Sequence, residues 1–339
     1  MKYVRLSILT GITVCCGYLI YAYVFQGEYS YHSGIQTYFE AVTQKNEKPP
    51  DTVLVFGGDV MLSRTIETIA DWKGSPLLFW HDVHDILYDA DVSFINLESP
   101  ISDKGIEVGN LYSFRADPAM LAGIAYAGID VVSFANNHVW DWGRDAFVDT
   151  IARLREQGIA PLGAGLTYTE AHTPYIVDTP QLSIAYLAYT NLLPASLLSE
   201  NAEPAVAGIH IPTIQKDIIH AKDMGADIVV ASFHWGDEYQ TTHNAEQERI
   251  AKAVIDMGAD IVVGHHPHVP QEIEIYNGGV IAYSLGNFVF DQNFSKATSH
   301  GLLMRVNIDR EGDITRVEKI DLTFDSTYVP KPGTIEYVL

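Results

Sequence analysis

The 339-residue sequence carries 43 acidic residues against 21 basic ones, a formal charge of −22, with 47% hydrophobic residues and two cysteines. That balance excludes a general nucleic-acid binder, which needs clustered Lys and Arg to displace counterions from phosphates. It also excludes disorder as the main state, because so apolar a chain buries a sizeable core. Cys15 and Cys16 are neighbours in an apolar run, so no disulfide framework holds the chain together.

Leu6 to Phe25 form twenty positions without a charge. At about 1.5 Å per helical residue such a run spans a hydrocarbon core of about 30 Å. Lys2 and Arg5 precede it and no basic cluster follows. The positive-inside rule therefore leaves the N-terminus in the cytoplasm and sends the remainder outward. The run is longer than a signal-peptide core and lacks a small-x-small cleavage site, which favours an uncleaved anchor over residues 1–26. A lipoprotein with lipid on Cys15 or Cys16 is the rival, disfavoured by Val14 where a small residue is normally wanted. The expected location is the cell membrane, single-pass, with the C-terminal domain extracytoplasmic. Residues 27–50 are polar and aperiodic and read as a stalk. All acidic residues follow the anchor, so residues 27–339 carry −24.

Beyond Pro50 strand and helix signals alternate. Thr52 to Phe56 reads as a strand ending in Gly57-Gly58-Asp59, followed by a helix to about Asp71. Asp91 to Asn96 is a second strand. Pro118 to Ala127 is a helix capped by Asp117, and Asp130 to Phe134 is a strand closing on Ala135-Asn136-Asn137-His138. Arg144 to Gln157 is amphipathic, with Phe147, Ile151 and Leu154 on one face. Ser183 to Tyr189 and Asp227 to Phe233 read as strands, with a helix over Thr213 to Met224 between them. Ala245 to Met257 is a helix and Asp260 to Val263 a strand, ending at Gly264-His265-His266-Pro267-His268. Two hairpins finish the pattern, Glu272 to Phe290 turning at Asn277-Gly278 and Leu302 to Phe324 turning near 309–313. The expectation is an α/β protein with one domain over residues 51–326 and a C-terminal tail over 327–339. Its size suits a two-sheet sandwich better than a single open sheet.

Five predicted strands end in Asp59, Glu98, Asn137/His138, His234 and His265/His266/His268, and ligands of α/β sheets bind beyond the carboxyl ends of strands. Carboxylate, amide oxygen and imidazole together suit a divalent Mn, Fe or Zn ion. The absence of thiolate donors argues against a structural zinc site. Two such ions bridged by a carboxylate polarise an electrophile and lower the pKa of water, and a free histidine beside them protonates a leaving group. Each motif also has a plainer reading. Gly57-Gly58-Asp59 alone is a tight turn with a helix cap, and Asn96-Leu97-Glu98 is a solvated loop. His266-Pro267-His268 resists that treatment, since two imidazoles flanking a rigid proline are seldom needed for packing. The remaining histidines read as surface or core residues.

Taken in order, Gly57-Gly58-Asp59-Val60-Met61-Leu62-Ser63-Arg64, Asn96-Leu97-Glu98, Ala135-Asn136-Asn137-His138 with Asp141 and Gly143, and Gly163-Ala164-Gly165 form the first part of a longer pattern. His234-Trp235-Gly236 with Glu238-Tyr239, Gly264-His265-His266-Pro267-His268 with Gln271, and Tyr283-Ser284-Leu285-Gly286-Asn287-Phe288 complete it. This series, over about residues 52–295, resembles the CapA family of poly-γ-glutamate capsule biosynthesis proteins, whose members resemble calcineurin-like metallophosphoesterases. The resemblance implies a four-layer α/β/β/α sandwich with a metal site at one edge of two facing sheets. It implies that Asp59 binds a first metal and that Glu98 bridges both. Asn137, His234 and His266 would complete the second site, His268 would serve the first, and His138 would be the acid beside them. The chain departs from the phosphoesterase pattern at Met61, where an imidazole is usual, and at Glu98, where aspartate is usual. Its histidine spacing also makes His265 a competitor for His266.

Arg64 is the cation expected to hold a substrate carboxylate or phosphate, with a surface ion pair as the alternative. Three functional readings follow from residues and resemblance together. The first is a membrane-anchored component of poly-γ-glutamate capsule synthesis or export, working beside other membrane subunits on the polymer. The second is a metal-dependent hydrolase of a phosphoester or a γ-glutamyl amide. The third is a non-catalytic scaffold or binding module.

Overall fold

The computed structural model describes residues 51–339, so the predicted anchor and stalk lie outside the described residues. Among the described residues, no helix is long and apolar enough to cross a membrane. The chain first lays down β1 (Thr52–Val60), α1 (Thr65–Lys73), β2 (Val92–Leu97), α2 (Leu121–Tyr126), β3 (Val131–Ser133), α3 (Gly143–Glu156) and β4 (Ala160–Leu162). It continues through β5 (Ala164–Gly165), β6 (Tyr175–Asp178), β7 (Ser183–Thr190), β8 (Ala205–Val206), α4 (Ile211–Asp223), β9 (Ile228–His234), α5 (Ala245–Asp256) and β10 (Ile261–His265). The last strands are β11 (Ile273–Tyr276), β12 (Gly279–Ala282), β13 (Asn287–Val289), β14 (His300–Ile308), β15 (Ile314–Phe324) and β16 (Pro330–Tyr337).

Two large sheets result. The first runs β16-β15-β14-β1-β2-β3-β4, with β13 also pairing with β1. Its β1-to-β4 half is parallel and its C-terminal half antiparallel. The second runs β11-β12-β10-β9-β7-β6, parallel at its centre with an antiparallel strand at each edge. Parallel strands are covered on both faces and so read as unbroken apolar runs, as in the wholly buried β9 and β10. One core joins Leu54, Phe56 and Phe94 of the first sheet with Ile184, Tyr186, Val230 and Ile261 of the second. The rings of Phe94 and Tyr186 stack with centroids 6.3 Å apart. The other side of the second sheet packs Val229, Ala231 and Val262 against Ile214 and Ile218 of α4 and Ile250 and Val254 of α5. Phe147, Ile151 and Leu154 of α3 are buried, as their spacing requires. The fold is mixed α/β.

Three departures from the sequence expectation have physical causes. The first strand runs through the glycine pair to Val60, and its register against β2 shifts between Phe56 and Asp59. Gly58 permits this, because a Cβ there would lie 1.9 Å from the carbonyl oxygen of Gly286. The expected hairpin over Glu272 to Phe290 is confined to β11 and β12, and β13 leaves it to lie parallel beside β1, with Asn287 opposite Asp59. Residues 327–339 are no tail, because they supply β16 at the edge of the first sheet. An edge strand tolerates Pro330 and Pro332, which hid it from a propensity reading.

The loop after Glu98 is clamped to α3 through Asp149. That carboxylate accepts bonds from Ser102 Oγ at 2.7 Å, Lys104 Nζ at 2.6 Å and Arg153 Nε at 2.7 Å. Burial pushes the Asp149 carboxyl up, but the bonds from Lys104, Ser102 and Arg153 outweigh it and hold the pKa at about 2, below the ordinary 3.8. Asp149→Asn is expected to destabilise the protein by about 1–2 kcal/mol at neutral pH, measured by urea denaturation. A depressed carboxylate stabilises above its unfolded pKa and loses that effect as pH falls through its folded one. The difference between parent and variant therefore closes as pH falls from about 5 towards about 2. A difference unchanged at the acid end would contradict the clamp.

Candidate metal centre

Each strand end delivers one part of the site. On the first sheet, Asp59 stands opposite Asn96 across β1 and β2, and both are fully buried. Asn96 Nδ2 donates to Asp59 Oδ1 at 2.8 Å and lies 3.2 Å from His234 Nδ1, so one amide bridges the two sheets. Glu98 follows β2 directly, its backbone N–H donating to the carbonyl of Val60 at 2.7 Å. Asn136 Nδ2 donates to the Leu97 carbonyl at 2.8 Å, while its Oδ1 accepts from the His138 N–H at 3.1 Å. This fixes the turn that presents Asn137 and His138.

On the second sheet, His234 ends β9 and His265 ends β10, in register with each other. The chain then turns through His266 at φ 98° and His268 at φ 58°, left-handed conformations that cost non-glycine residues about 1–3 kcal/mol each. Surrounding contacts hold them there. The His266 N–H donates to Asp59 Oδ2 at 3.3 Å, and His268 Nδ1 lies 3.0 Å from Asn287 Oδ1. An amide oxygen only accepts, so His268 carries its proton on Nδ1 and leaves the Nε2 lone pair free. That Nε2 is 3.7 Å from Glu98 Oε1.

Glu98 is the unusual group. It is fully buried, and neither carboxylate oxygen has a hydrogen-bond partner. Around Oε1 stand His234 Nε2 at 3.7 Å, His268 Nε2 at 3.7 Å and His138 Nε2 at 3.9 Å. These gaps exceed a hydrogen bond. They leave space between Glu98 and the rings of His234 and His268 for an ion to sit among the donors. Ligand atoms of Asp59, Glu98 and His268 lie within 4.8 Å of one another, as do those of Glu98, His234 and His266. Asn137 stands beside the second group, its Oδ1 accepting a hydrogen bond from His234 Nε2 at 2.7 Å. His265 enters neither group. Both of its ring nitrogens lack hydrogen-bond partners, Nδ1 standing 3.6 Å from Asp59 Oδ1, and its ring stacks on Phe94.

The electrostatics agree with a cation site. Burial, then the charges of Asp59, Glu238 and Asp141, push the Glu98 carboxyl well above the ordinary 4.5. Asp59 is pushed up by burial too, but its bond and charge interaction with His268, with help from His265 and Asn96, leave it lowered. Burial lowers His234 strongly, with neighbouring imidazoles adding to the effect, and holds His265 and His266 at about 4. These three rings are therefore neutral at pH 7, the form that ligates metal. Among the described residues, no lysine or arginine ion pair reaches Asp59, Glu98 or Glu238. The orphaned Glu98 oxygens and this donor set fit a divalent ion.

His138 is oriented differently. Its Nδ1 lies 2.7 Å from Asp141 Oδ2, and Asp141 also accepts from the Phe114 N–H and Asn110 Nδ2, both at 2.8 Å. The pair points Nε2 towards Glu98. Arg64 binds Asp291 through Nε at 3.2 Å and through a terminal guanidinium nitrogen, and lies 4.7 Å over the Phe114 ring. Its guanidinium is thus committed to an ion pair at the rim, one aromatic ring away from His138. Met61 is buried, its sulfur accepting from Ser63 N–H at 3.2 Å and Ser63 Oγ at 3.0 Å.

Asn96, Asn136, Asp141 and Asn287 have positioning parts that the sequence reading left unassigned. An asparagine inside an apolar strand was the available signal for Asn96, since buried amides need partners. In chelator-treated protein, Glu98→Gln is expected to raise stability near pH 7 by about 1–3 kcal/mol, because it replaces a carboxyl whose charge is penalised by burial and by neighbouring carboxylates with a neutral amide. A raised folded pKa destabilises above the unfolded value of 4.5, so this gain shrinks as pH falls towards 4.5. Denaturation showing Glu98→Gln less stable than its metal-free parent would contradict the assignment.

Comparison with known proteins agrees with the motif order. A family model for the "Bacterial capsule synthesis protein PGA_cap" matches residues 53–292. The chain is 32% identical over 304 residues to the capsule biosynthesis protein CapA of Bacillus anthracis, covering 86% of this chain and 71% of that protein. It is 34% identical over 288 residues to the PGA biosynthesis protein CapA of Bacillus subtilis (strain 168), covering 80% and 72%. Among solved structures, a putative 5'-nucleotidase from Staphylococcus aureus aligns with a TM-score of 0.46 at 14% identity, over 84% of this chain and 54% of that one. That likeness is too distant to carry chemistry. The family match and the two relatives stand on most of the chain, which belongs to the bacterial capsule synthesis protein family PGA_cap.

Proposed function

We propose that this protein is a membrane-anchored, extracytoplasmic component of poly-γ-glutamate capsule synthesis or export, with a divalent-metal centre at the meeting edge of its two sheets. The observation that carries the metal reading is Glu98, buried without a partner among three imidazole nitrogens at 3.7–3.9 Å. The role in the polymer pathway rests on relatives named for capsule and PGA biosynthesis. The anchor rests on the uncharged run from Leu6 to Phe25. The layers described above support the four-layer α/β/β/α, metallophosphoesterase-like form of the fold.

In this reading Asp59, Glu98 and His268 hold one ion, and Glu98, Asn137, His234 and His266 hold a second. Bound there, Mn, Fe or Zn would supply Lewis acidity and counter-charge. The protein's own contribution is positional. Asn96 and Asn287 orient the ligands, Asp141 orients His138, and His138 holds a proton at Nε2 for a leaving group. A −24 ectodomain repels an anionic polymer at long range, so the substrate would be met locally, at the metal centre. The Asp141–His138 pair favours a hydrolase acting on a γ-glutamyl amide or phosphoester over a bare scaffold. Packing alone does not require an imidazole whose free nitrogen faces the centre.

Elemental analysis of the purified full-length protein is expected to find a divalent transition metal, with His234→Ala and His268→Ala each lowering its content. Equal and negligible metal in all three would remove the centre. In a poly-γ-glutamate-producing Bacillus strain lacking its own relative, His138→Ala at parental protein level is expected to lose most polymer output. Undiminished output would favour a scaffold.

A further inference from the structure

Glu238 was not among the ligands expected from sequence, yet its carboxylate forms a third group with His266 and His268, the three ligand atoms lying within 4.8 Å of one another. Both imidazoles are buried and Glu238 is exposed, so the group opens to solvent on one side. A surface carboxylate of this kind would ordinarily sample many positions. Here its loop is fixed from both sides. Tyr239 N–H donates to the Pro267 carbonyl at 2.8 Å, tying the loop to the turn that carries His266 and His268. Gln271 Nε2 donates to the Gln240 carbonyl at 2.8 Å, and Gln271 is itself held by Gln247 Nε2 at 2.9 Å. Gly236 sits at φ 85°, where a Cβ would approach the Gln247 side chain to 2.7 Å. Tyr239 sits at φ 65°, with its ring stacked 6.2 Å from that of His268. Gly236 takes the left-handed turn before Glu238 without strain, while Tyr239 after it is strained and is held by the bond to Pro267.

The need for a further donor is visible at Met61. Its sulfur is engaged by Ser63, so the Asp59, Glu98 and His268 group has no fourth protein donor from that strand. Nor do the described residues bring a lysine or arginine ion pair to Asp59, Glu98 or Glu238. We propose that Glu238 is a metal ligand on the solvent side of the centre, acting with His266 and His268, the second of which also belongs to the Asp59 and Glu98 group. This inference rests on the metal-centre reading above. It adds a third carboxylate to the centre beside Asp59 and Glu98, and the more oxygen-rich donor set shifts preference towards a harder ion such as Mn²⁺ relative to Zn²⁺.

The test is Mn²⁺ titration of metal-stripped full-length protein, followed by the free-ion electron paramagnetic resonance signal, on the parent, Glu238→Gln and Glu238→His. Circular dichroism confirms folding, which substitution at an exposed position leaves intact. Glu238→Gln is expected to weaken Mn²⁺ binding at least tenfold, and Glu238→His to favour Zn²⁺ over Mn²⁺ relative to the parent in a competition titration. Parental Mn²⁺ affinity in Glu238→Gln would overturn the role of Glu238 while leaving the metal centre standing. A parent that binds no Mn²⁺, Fe²⁺ or Zn²⁺ would overturn both.

Discussion

A carboxylate in a protein interior needs a hydrogen-bond donor, a cation or a proton, because desolvation otherwise disfavours its charge by several kcal/mol. Glu98 has no hydrogen-bond donor, feels the charges of Asp59 and Glu238, and meets imidazole nitrogens only at 3.7–3.9 Å. In the absence of an ion it is driven towards its protonated form. In the presence of one, the same geometry becomes a ligand sphere, with the amides already oriented and His234 and His266 already neutral. The arrangement lowers the stability of the empty protein and raises its affinity for a cation. Active sites commonly carry this kind of local instability.

The fold is organised to bring that carboxylate and its neighbours together. Strands β1, β2 and β3 end on one side, β9 and β10 on the other, and the facing sheets bring the two sets of ends to a common edge. Asn96 stitches the sheets at this point through Asp59 and His234. The β13 segment matters for the same reason. By leaving the second sheet to lie beside β1, it places Asn287 against His268 and sets that ring's tautomer. Gly58 makes the crossing sterically possible. On the His138 side, the Asp141 carboxylate holds Asn110, the Phe114 N–H and the imidazole together, and its backbone carbonyl accepts from Val108.

Much of this was legible in the sequence because it is local. The apolar runs of β2, β7, β9 and β10, and the amphipathic spacing of α3, announce elements whose burial follows from period alone. The polar residues at the strand ends followed directly. What stayed hidden depends on distant partners. Arg64 could not be assigned to Asp291, 227 residues away, without the fold. The edge strand β16 was masked by its prolines, and the crossing of β13 by the turn signal at Asn277-Gly278. Glu238 lay in a quoted motif four residues after His234, but its reach to His266 and His268 depends on a hydrogen bond to Pro267. Asp59 itself was expected after a strand and lies within one, because two glycines let the register shift.

The central claim, that Glu98 is the shared ligand of a divalent-metal centre, is tested most directly by anomalous X-ray diffraction at the manganese edge from Mn²⁺-equilibrated crystals of the parent and of Glu98→Gln. The expected result is anomalous density between Glu98 and His268 and between Glu98 and His234 in the parent, strongly reduced in the variant. Crystals of the parent without anomalous density beside Glu98 at saturating Mn²⁺, or equal density in Glu98→Gln, would contradict it.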